Sequence, residues 1–277
     1  MTYSRRIDRL SPALIIVLVD QSDSMAELIA GAQASKAQAV ANHINTLLYE
    51  LILRCAKTPR EPPRAYFYVS VLGYSTTPDG RSIIEPALTV ANADGVISTT
   101  DLATSTLRVE SRHGPTGSTI NSPVWIEPVG RGGTPMCAAL NRAGQLAASW
   151  VAQHPDAFPP VVVNLSDGEA TDGDPAVWAG RLRSLSTSDG HVLLFNLNLS
   201  TDPGTAHLFP SDMNGLSSQH AAKLFDMSSP LPDSMIDIAR SQGIAIRPGA
   251  RGFAFNADIK ALTLFLNVGT SIGRIAR

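Results

Sequence analysis

Lysine is scarce in this 277-residue chain, and no long apolar run is present. Only four of its 22 basic residues are lysines, and its formal net charge is −2. This near balance offers no electrostatic attraction for nucleic acid or for an anionic membrane surface. A membrane-spanning helix needs roughly 20 apolar residues in succession, and no stretch approaches that length. We therefore expect neither nucleic acid nor a membrane as a partner.

Cysteine is rarer still, since Cys55 and Cys137 are the only two. Both lie in segments with helical periodicity, which favours two reduced, buried thiols over a disulfide. Three arginines precede the apolar residues 13–19 and give this segment the outline of a short signal peptide. That run ends on Asp20 without a small-residue cleavage pattern, so a first strand is the better interpretation. We expect a cytoplasmic protein.

Several motifs of catalysis are missing as well. The sequence contains no GxxxxGK[ST] phosphate loop and no G-x-S-x-G nucleophile turn. Its six histidines are scattered and lack the spacing of a zinc site. Because no nucleophile is paired with a base either, we expect a protein that is not an enzyme.

Strands and helices alternate regularly along the chain. Largely apolar runs such as residues 161–165 are typical of parallel strands that are covered on both faces. The alternation predicts an α/β protein with a doubly wound, mainly parallel central sheet and helices on both faces, a Rossmann-like arrangement. A turn at 78–80 predicts a hairpin that adds one antiparallel edge strand. The predicted strands are 14–19, 65–74, 82–84, 161–165, 191–199 and 252–256, and the predicted helices are 32–56, 134–153, 174–185, 219–226, 233–242 and 258–272.

Length and composition favour a single domain over residues 1–277. We place its core at about 12–200, an insertion without clear periodicity at about 92–123, and a C-terminal extension at about 200–277. A long irregular stretch in a compact domain is usually functional or disordered. Contact with a partner and a passive insertion are therefore both open for 92–123.

Oxygen-bearing side chains follow the first strand at alternate positions, namely Asp20, Ser22 and Ser24. Asp167 follows the strand at 161–165, and Thr134 opens a predicted helix. Because the carboxyl ends of neighbouring parallel strands meet at the same edge of a sheet, we expect these five side chains to converge. Hard cations such as Mg²⁺ prefer ligands of this kind. The sequence thus predicts a metal site.

The roles within this site follow from ligand chemistry. The hydroxyls of Ser22, Ser24 and Thr134 would coordinate the ion directly, whereas Asp20 and Asp167 would hold its bound waters. Two carboxylates balance a dication, and a first shell of neutral hydroxyls leaves the ion electrophilic. An Asp or Glu carboxylate from another protein is then a favoured last ligand. We expect Mg²⁺, with Mn²⁺ or Ca²⁺ as alternatives, and a protein partner.

Each segment also has a simpler interpretation. Ser24 and Glu27 have the spacing of a capping box. Thr134 before Pro135 is a helix start signal in which the threonine is the cap and the proline is the first helical residue. Asp167 before a glycine suits a turn. The occurrence of all three segments together favours one shared site over three separate local roles.

The same three segments resemble the metal-ion-dependent adhesion site of von Willebrand factor A (VWA) domains. DQSDS at 20–24 is similar to the DxSxS motif of that family, GGTP at 132–135 to its threonine loop, and LSDGEATD at 165–172 to its third motif. The resemblance covers about 12–200 and implies the VWA fold and the ligand roles given above. Asp23 stands where glycine is common. Its charge would strengthen cation binding or repel an incoming carboxylate.

Within that family the chain is most similar to bacterial VWA proteins of the tellurium-resistance type. The segment LFLNVGTSI at 264–272 resembles theirs as well. Proteins of this type are often encoded beside a protein kinase and a protein phosphatase. The resemblance therefore implies a signalling or stress-response scaffold, with a kinase or a phosphatase as a partner.

Two other functions compete with this hypothesis. A metal-dependent phosphohydrolase of the haloacid-dehalogenase type also places an aspartate after its first strand. It needs a second acid two residues later, where this chain has Ser22, and a downstream lysine, and none lies between Lys57 and Lys223. An accessory subunit of a ring-shaped ATPase is the other alternative, since VWA domains occur in such machines.

Overall fold

A computed structural model describes residues 3–28, 33–58, 61–89, 94–113, 119–199, 206–216, 218–270 and 274–275 of the chain. The strands are β1 Arg6–Ile7, β2 Ala13–Asp20, β3 Phe67–Thr76, β4 Ser82–Pro86, β5 Ile97–Ser98, β6 Arg108–His113, β7 Thr119–Val124, β8 Val161–Ser166, β9 Leu193–Leu199, β10 His207–Leu208, β11 Phe253–Ala257 and β12 Arg274–Ile275. The helices are α1 Lys36–Cys55, α2 Thr99–Leu102, α3 Met136–Gln153, α4 Pro175–Ser184, α5 Gln219–Met227, α6 Asp233–Ser241 and α7 Ile259–Gly269, with a short 3₁₀ helix at Asp23–Ala26.

Eight of these strands form one sheet in the order β10-β11-β9-β8-β2-β3-β4, with β5 also paired to β3. Strand β2 runs parallel to β3 and β8, and β9 runs parallel to β8 and β11. The predicted α/β class with a mainly parallel central sheet is therefore confirmed. The predicted number of antiparallel strands in this sheet, one, is too low. Strands β4 and β5 pair antiparallel with β3, and β10 pairs antiparallel with β11. Strands β5 and β10 have two residues each, too few for a periodic pattern.

Helices cover both faces of the sheet, as the sequence predicted. Strand β2 is buried along its whole length, and its side chains alternate between two apolar cores. Ile15 and Val17 pack in the core that contains α1 and α7. Leu14 and Ile16 pack in the core that contains α3 and α5. Burial on both faces is the physical reason for the unbroken apolar run of this strand.

The strand order identifies where a ligand site should lie. Counted along the chain, β2, β3, β4, β8, β9 and β11 are strands one to six, and they lie side by side in the order 3-2-1-4-5-6. In this arrangement the chain leaves β2 toward one side of the sheet and returns to β8 on the other. Ligands of doubly wound sheets bind at the carboxyl ends of the strands where this reversal occurs, here β2 and β8.

Residues 92–123 do not form the irregular insertion that the sequence predicted. They contain β5, α2 and the antiparallel pair β6–β7, while 92–93 and 114–118 lie outside the described residues. Strands β6 and β7 form a two-stranded sheet of their own. Because this hairpin does not belong to the central sheet and Val109 is exposed, its sequence lacks the apolar alternation of a half-buried strand.

The chain that follows β7 is attached to α1 through Asn45. The Asn45 side-chain oxygen accepts hydrogen bonds from the backbone N–H groups of Trp125 and Ile126 at 2.9 and 3.1 Å. The amide of Asn45 donates to the Ile126 carbonyl at 3.1 Å. The buried Asn45 side chain thus satisfies backbone groups of this segment that a neighbouring strand would otherwise satisfy.

Both thiols are free and buried, which confirms the prediction of two reduced cysteines. Burial raises the pKa of Cys137 to about 12, so this thiol is unreactive at neutral pH. Within the described ranges, no helix has both the length and the apolarity to cross a bilayer.

Candidate metal centre

Two of the predicted site residues lie where the strand order reverses. Asp20 is the last residue of β2, and Asp167 follows the last residue of β8, which is the parallel neighbour of β2. The carboxyl ends of these strands therefore bring two carboxylates, 147 positions apart in the sequence numbering, to one edge of the sheet. This is the convergence that the alternation of strands and helices predicted.

Asp20 is completely buried, and both of its carboxylate oxygens accept hydrogen bonds. The backbone N–H of Ser22 donates to Oδ1 at 2.9 Å, and the hydroxyl of Ser166 donates to Oδ2 at 2.7 Å. Burial raises the pKa of Asp20 to about 6, although these hydrogen bonds partly oppose the shift. Ionisation of Asp20 is thus costly in this environment, and a nearby cation would offset that cost.

The two serines connect Asp20 to Asp167. The Ser22 and Ser24 hydroxyl oxygens lie 3.1 Å apart, and the Ser24 hydroxyl donates to Asp167 Oδ1 at 2.8 Å. The alternative interpretation of Ser24 as a capping residue does not describe this structure. The 3₁₀ helix at Asp23–Ala26 begins after Ser22, and the Glu27 carboxylate pairs with Lys36 instead.

Thr134 lies at the same edge, in the loop before α3, and is 5% exposed. Its backbone forms two hydrogen bonds with Thr171, in which the Thr134 N–H donates to Thr171 Oγ1 at 3.2 Å and the Thr134 carbonyl accepts from the Thr171 N–H at 2.9 Å. The Thr134 hydroxyl oxygen would lie 3.6 Å from a Cβ placed on Gly168, the residue after Asp167. Thr134 therefore lies beside the residue that follows Asp167, at the edge where the other four predicted residues are linked, and the roles of all five as ligands stay predictions.

Asp23, which lies between Ser22 and Ser24, connects their loop to the threonine loop at 132–135. Its Oδ1 accepts from the Gly132 N–H at 3.0 Å, and its own N–H donates to the Gly132 carbonyl at 2.9 Å. Gly132 has a φ of +73°, and an added Cβ would lie 2.3 Å from the Thr76 carbonyl oxygen. Only glycine fits this position without rearrangement. The Asp23 carboxylate thus orders the loop that carries Thr134, a role that the sequence did not reveal.

The predicted start of α3 is one residue too early. Thr134 was predicted as the cap and Pro135 as the first helical residue, but the helix begins at Met136 and Pro135 is its cap position. The carboxylate of Asp172 caps the helix from a distant loop, accepting from the N–H groups of Cys137 at 3.0 Å and Ala138 at 2.8 Å. A carboxylate at a helix N-terminus satisfies unpaired donors and matches the helix dipole.

Replacing Asp172 with alanine should lower the free energy of unfolding by about 1 to 2 kcal/mol, the usual value of a helix cap. Urea unfolding followed by circular dichroism measures the change. Asp237→Ala is the matched control, because Asp237 is exposed and, among the described residues, forms only a 3.7 Å surface pair with Arg240. An Asp172 variant as stable as the control would show that the cap contributes nothing.

Lys36 is a site residue that the sequence reasoning missed. Its ammonium lies 2.7 Å from Asp167 Oδ2 and 3.2 Å from a Glu27 carboxylate oxygen. The Lys36 side chain is 5% exposed, and that of Asp167 is completely buried. The sequence did not reveal it, because the predicted helix begins at 32, and only the structure places Lys36 at the first position of α1, where the helix dipole disfavours a positive charge. A basic residue in that position suggests a partner elsewhere.

The arrangement of oxygens fits a divalent ion. Adjacent octahedral ligands at about 2.1 Å from Mg²⁺ lie about 3.0 Å from each other, and the Ser22 and Ser24 oxygens are 3.1 Å apart. Two buried carboxylates supply the opposite charge. In the described parts of the chain, no three His, Cys, Asp or Glu side chains gather as a metal-binding group. Metal binding at this site would therefore depend on the hydroxyls of Ser22, Ser24 and Thr134.

Comparison with other proteins gives partial structural likenesses. Neither a protein-family profile nor a curated protein sequence matches the chain. The type V pilus tip protein Mfa5 of Porphyromonas gingivalis is similar over 58% of this chain and 20% of its own, with 13% identity and a TM-score of 0.31. The manganese-loaded TRAP protein of Plasmodium vivax is similar over 93% of this chain and 72% of its own, with 13% identity and a TM-score of 0.42. The strand order of the central sheet by itself establishes the doubly wound fold.

Proposed function

We propose that this protein is a metal-ion-dependent interaction module of the VWA type, which binds a carboxylate of a partner protein through a divalent ion. The observation that carries the proposal is the convergence of Asp20, Ser22, Ser24, Thr134 and Asp167 at one edge of the sheet. The three segments that carry these residues also resemble the VWA motifs in sequence and in order. Mg²⁺ is the proposed ion, with Mn²⁺ or Ca²⁺ as alternatives.

The residues have distinct proposed roles. Ser22, Ser24 and Thr134 would supply neutral oxygen ligands, and Asp20 and Asp167 would balance the charge and orient the hydroxyls and bound waters. When bound, the ion supplies Lewis acidity toward an oxygen ligand of a partner. The hydrogen bond from Ser24 to Asp167 and the contacts of Thr134 with Thr171 hold the oxygens in place. Such preorganisation reduces the entropy lost on binding.

Thr134→Ala should weaken Mg²⁺ binding at least about tenfold, because it removes one proposed ligand oxygen. Isothermal titration with Mg²⁺ measures the affinity, with Thr46→Ala as control, since Thr46 is exposed on α1. Affinity purification from the native cell, with and without a chelator, then asks whether the same variant loses its partner. Binding of metal and partner that is indifferent to Thr134 would contradict the proposal.

A phosphohydrolase has less support. Asp20 would have to be the nucleophile, but its carboxylate is completely buried and accepts hydrogen bonds from Ser22 and Ser166. The position of the general acid is occupied by Ser22. We therefore propose that the site performs no catalysis. Mg²⁺-dependent hydrolysis of a generic phosphate ester that disappears in Asp20→Asn would reverse this conclusion.

The finer assignments depend on the sequence resemblance alone. They are a role as a signalling or stress-response scaffold, and a protein kinase or phosphatase as the partner. A cytoplasmic location is part of the proposal, supported by two thiols that are buried and unpaired. Co-purification with a kinase or a phosphatase in Mg²⁺, and loss of either in chelator, would test the first two points together.

A further inference from the structure

The ammonium group of Lys36 lies inside the cluster of oxygens that would hold the metal. We infer that Lys36 is an internal cation of this site, which competes with a divalent ion for Asp167 and thereby sets the metal concentration at which the site fills. The inference rests on the proposed function, because it concerns the occupancy of the same site. The divalent ion and the lysine would be alternative partners of one buried carboxylate.

The contacts of Asp167 show why the two cations would compete. One carboxylate oxygen accepts from the Ser24 hydroxyl at 2.8 Å, and the other accepts from Lys36 at 2.7 Å. Lys36 also lies 3.4 Å from the Ser24 carbonyl oxygen. Ser24 and Asp167 are both proposed to serve the metal. A unit positive charge held this close to them would repel a dication.

The charges in the site lead to the same conclusion. Asp20 and Asp167 together carry two negative charges when ionised, which a dication alone would balance. With Lys36 still beside Asp167, a dication would leave one excess positive charge among the buried groups, where charges interact strongly. The nearby carboxylate that could offset this charge, that of Glu27, is exposed. Binding of metal therefore favours movement of the ammonium away from Asp167.

Glu27 provides the second position for Lys36. Its carboxylate lies 3.2 Å from the ammonium, and its side chain is 60% exposed. The lysine thus lies between a buried carboxylate that the metal would need and an exposed carboxylate on the outer side. Movement toward Glu27 would keep the ammonium paired while the metal took its place beside Asp167.

The position of Lys36 in α1 is an independent observation. It is the first residue of the helix and follows the capping residue Ser35, whose side chain accepts from the Gln38 N–H at 3.1 Å. A positive charge is unfavourable at a helix N-terminus, so nothing within α1 itself explains a buried lysine there. Its pairing with Asp167 does.

Titration of the metal-free protein with Mn²⁺ tests the inference. The Lys36→Met variant should bind Mn²⁺ at least about tenfold more tightly than the original protein, which corresponds to about 1.4 kcal/mol. It should also show the larger rise of melting temperature on addition of Mn²⁺. Lys57→Met is the matched control, because Lys57 is exposed, and it should leave both quantities unchanged. If Lys36→Met fails to fold, Lys36→Gln removes the charge but keeps a hydrogen-bond donor.

The outcomes separate this inference from the proposed function. A gain in affinity that is confined to the Lys36 variants supports the competition. Equal, measurable binding by the original protein and both Lys36 variants would overturn the inference and leave the metal site intact. Absence of Mn²⁺ binding in all of them would overturn both.

Discussion

Replacing Asp167 with alanine is expected to lower the free energy of unfolding by about 3 kcal/mol, because it leaves the Lys36 ammonium without its buried partner. Removal of one member of a buried ion pair typically costs about 3 to 5 kcal/mol. The lower value applies here, since Glu27 still lies 3.2 Å from the ammonium. Glu27 is 60% exposed, and exposed pairs contribute less than about 1 kcal/mol. It therefore compensates only in part.

Urea unfolding of the metal-free protein measures this loss, with Asp237→Ala as the exposed control. The double variant Lys36→Met/Asp167→Ala should be less destabilised than the sum of the two single variants, because no unpaired charge stays buried in it. The interaction energy from this double-mutant cycle should be about 2 kcal/mol in magnitude. Additive single variants would show that the contact at 2.7 Å between the two side chains contributes no coupling.

Replacing Asp20 with asparagine is expected to have the opposite effect on the metal-free protein and to stabilise it at neutral pH. Burial raises the pKa of Asp20 from 3.8 to about 6, so the folded protein must bear the cost of a desolvated carboxylate at pH 7. A shift of about two pKa units corresponds to an effect on the order of 2 to 3 kcal/mol. The asparagine amide can replace the hydrogen bonds, because the Ser166 hydroxyl can donate to the Gly168 carbonyl at 3.2 Å and accept from the amide.

The pH dependence follows from the direction of the pKa shift. The folded state holds the Asp20 proton more tightly than the unfolded state, so the stabilising effect of this proton is complete below about pH 4. It is lost as the pH rises from about 4 to about 6. The advantage of Asp20→Asn should therefore be absent at pH 4 and fully developed at pH 7.

Thermal or urea unfolding at several pH values measures the difference between Asp20→Asn and the original protein, with Asp237→Asn as control. The same variant should lose the stabilisation that Mn²⁺ gives, because one of the two charges that balance the ion is gone. A variant less stable than the original protein at pH 7 without metal would show that the network of Ser22 and Ser166 requires the negative charge.

Most of the central sheet was predictable from local patterns in the sequence. The strands β2, β8 and β9 are mainly apolar because both of their faces are buried. Helices α1 and α3 have apolar stripes, and α4 has a clear start at Asp174 and Pro175. The hairpin β6–β7 was not predictable, since it lies outside the central sheet and needs no apolar face. The short strands β5 and β10 are formed by two residues each, and their pairing depends on neighbours far away in the chain.

The oxygen-bearing side chains of the candidate site were predictable from the sequence, whereas the buried lysine beside them was not. Asp20 and Asp167 follow apolar strands, and the topology of a doubly wound sheet brings such positions together. The pairing of Lys36 with Asp167 joins residues 131 positions apart. Similarly, the cap of α3 comes from Asp172, 35 positions after the Cys137 amide that it accepts from. The local signal at Thr134 and Pro135 favoured a different start for this helix.

The amino-acid sequence by itself determined the α/β class, the parallel strands and the five oxygen-bearing side chains. These features were predictable because apolar periodicity and the residues at strand ends are patterns within short segments of the chain. The tertiary structure alone decided which charge faces Asp167, how the threonine loop is held and which carboxylate caps α3. These features depend on the packing of distant loops at one sheet edge. Because these polar groups are buried at that edge, each one that lacked its partner would cost free energy. Local sequence preferences do not reflect that cost.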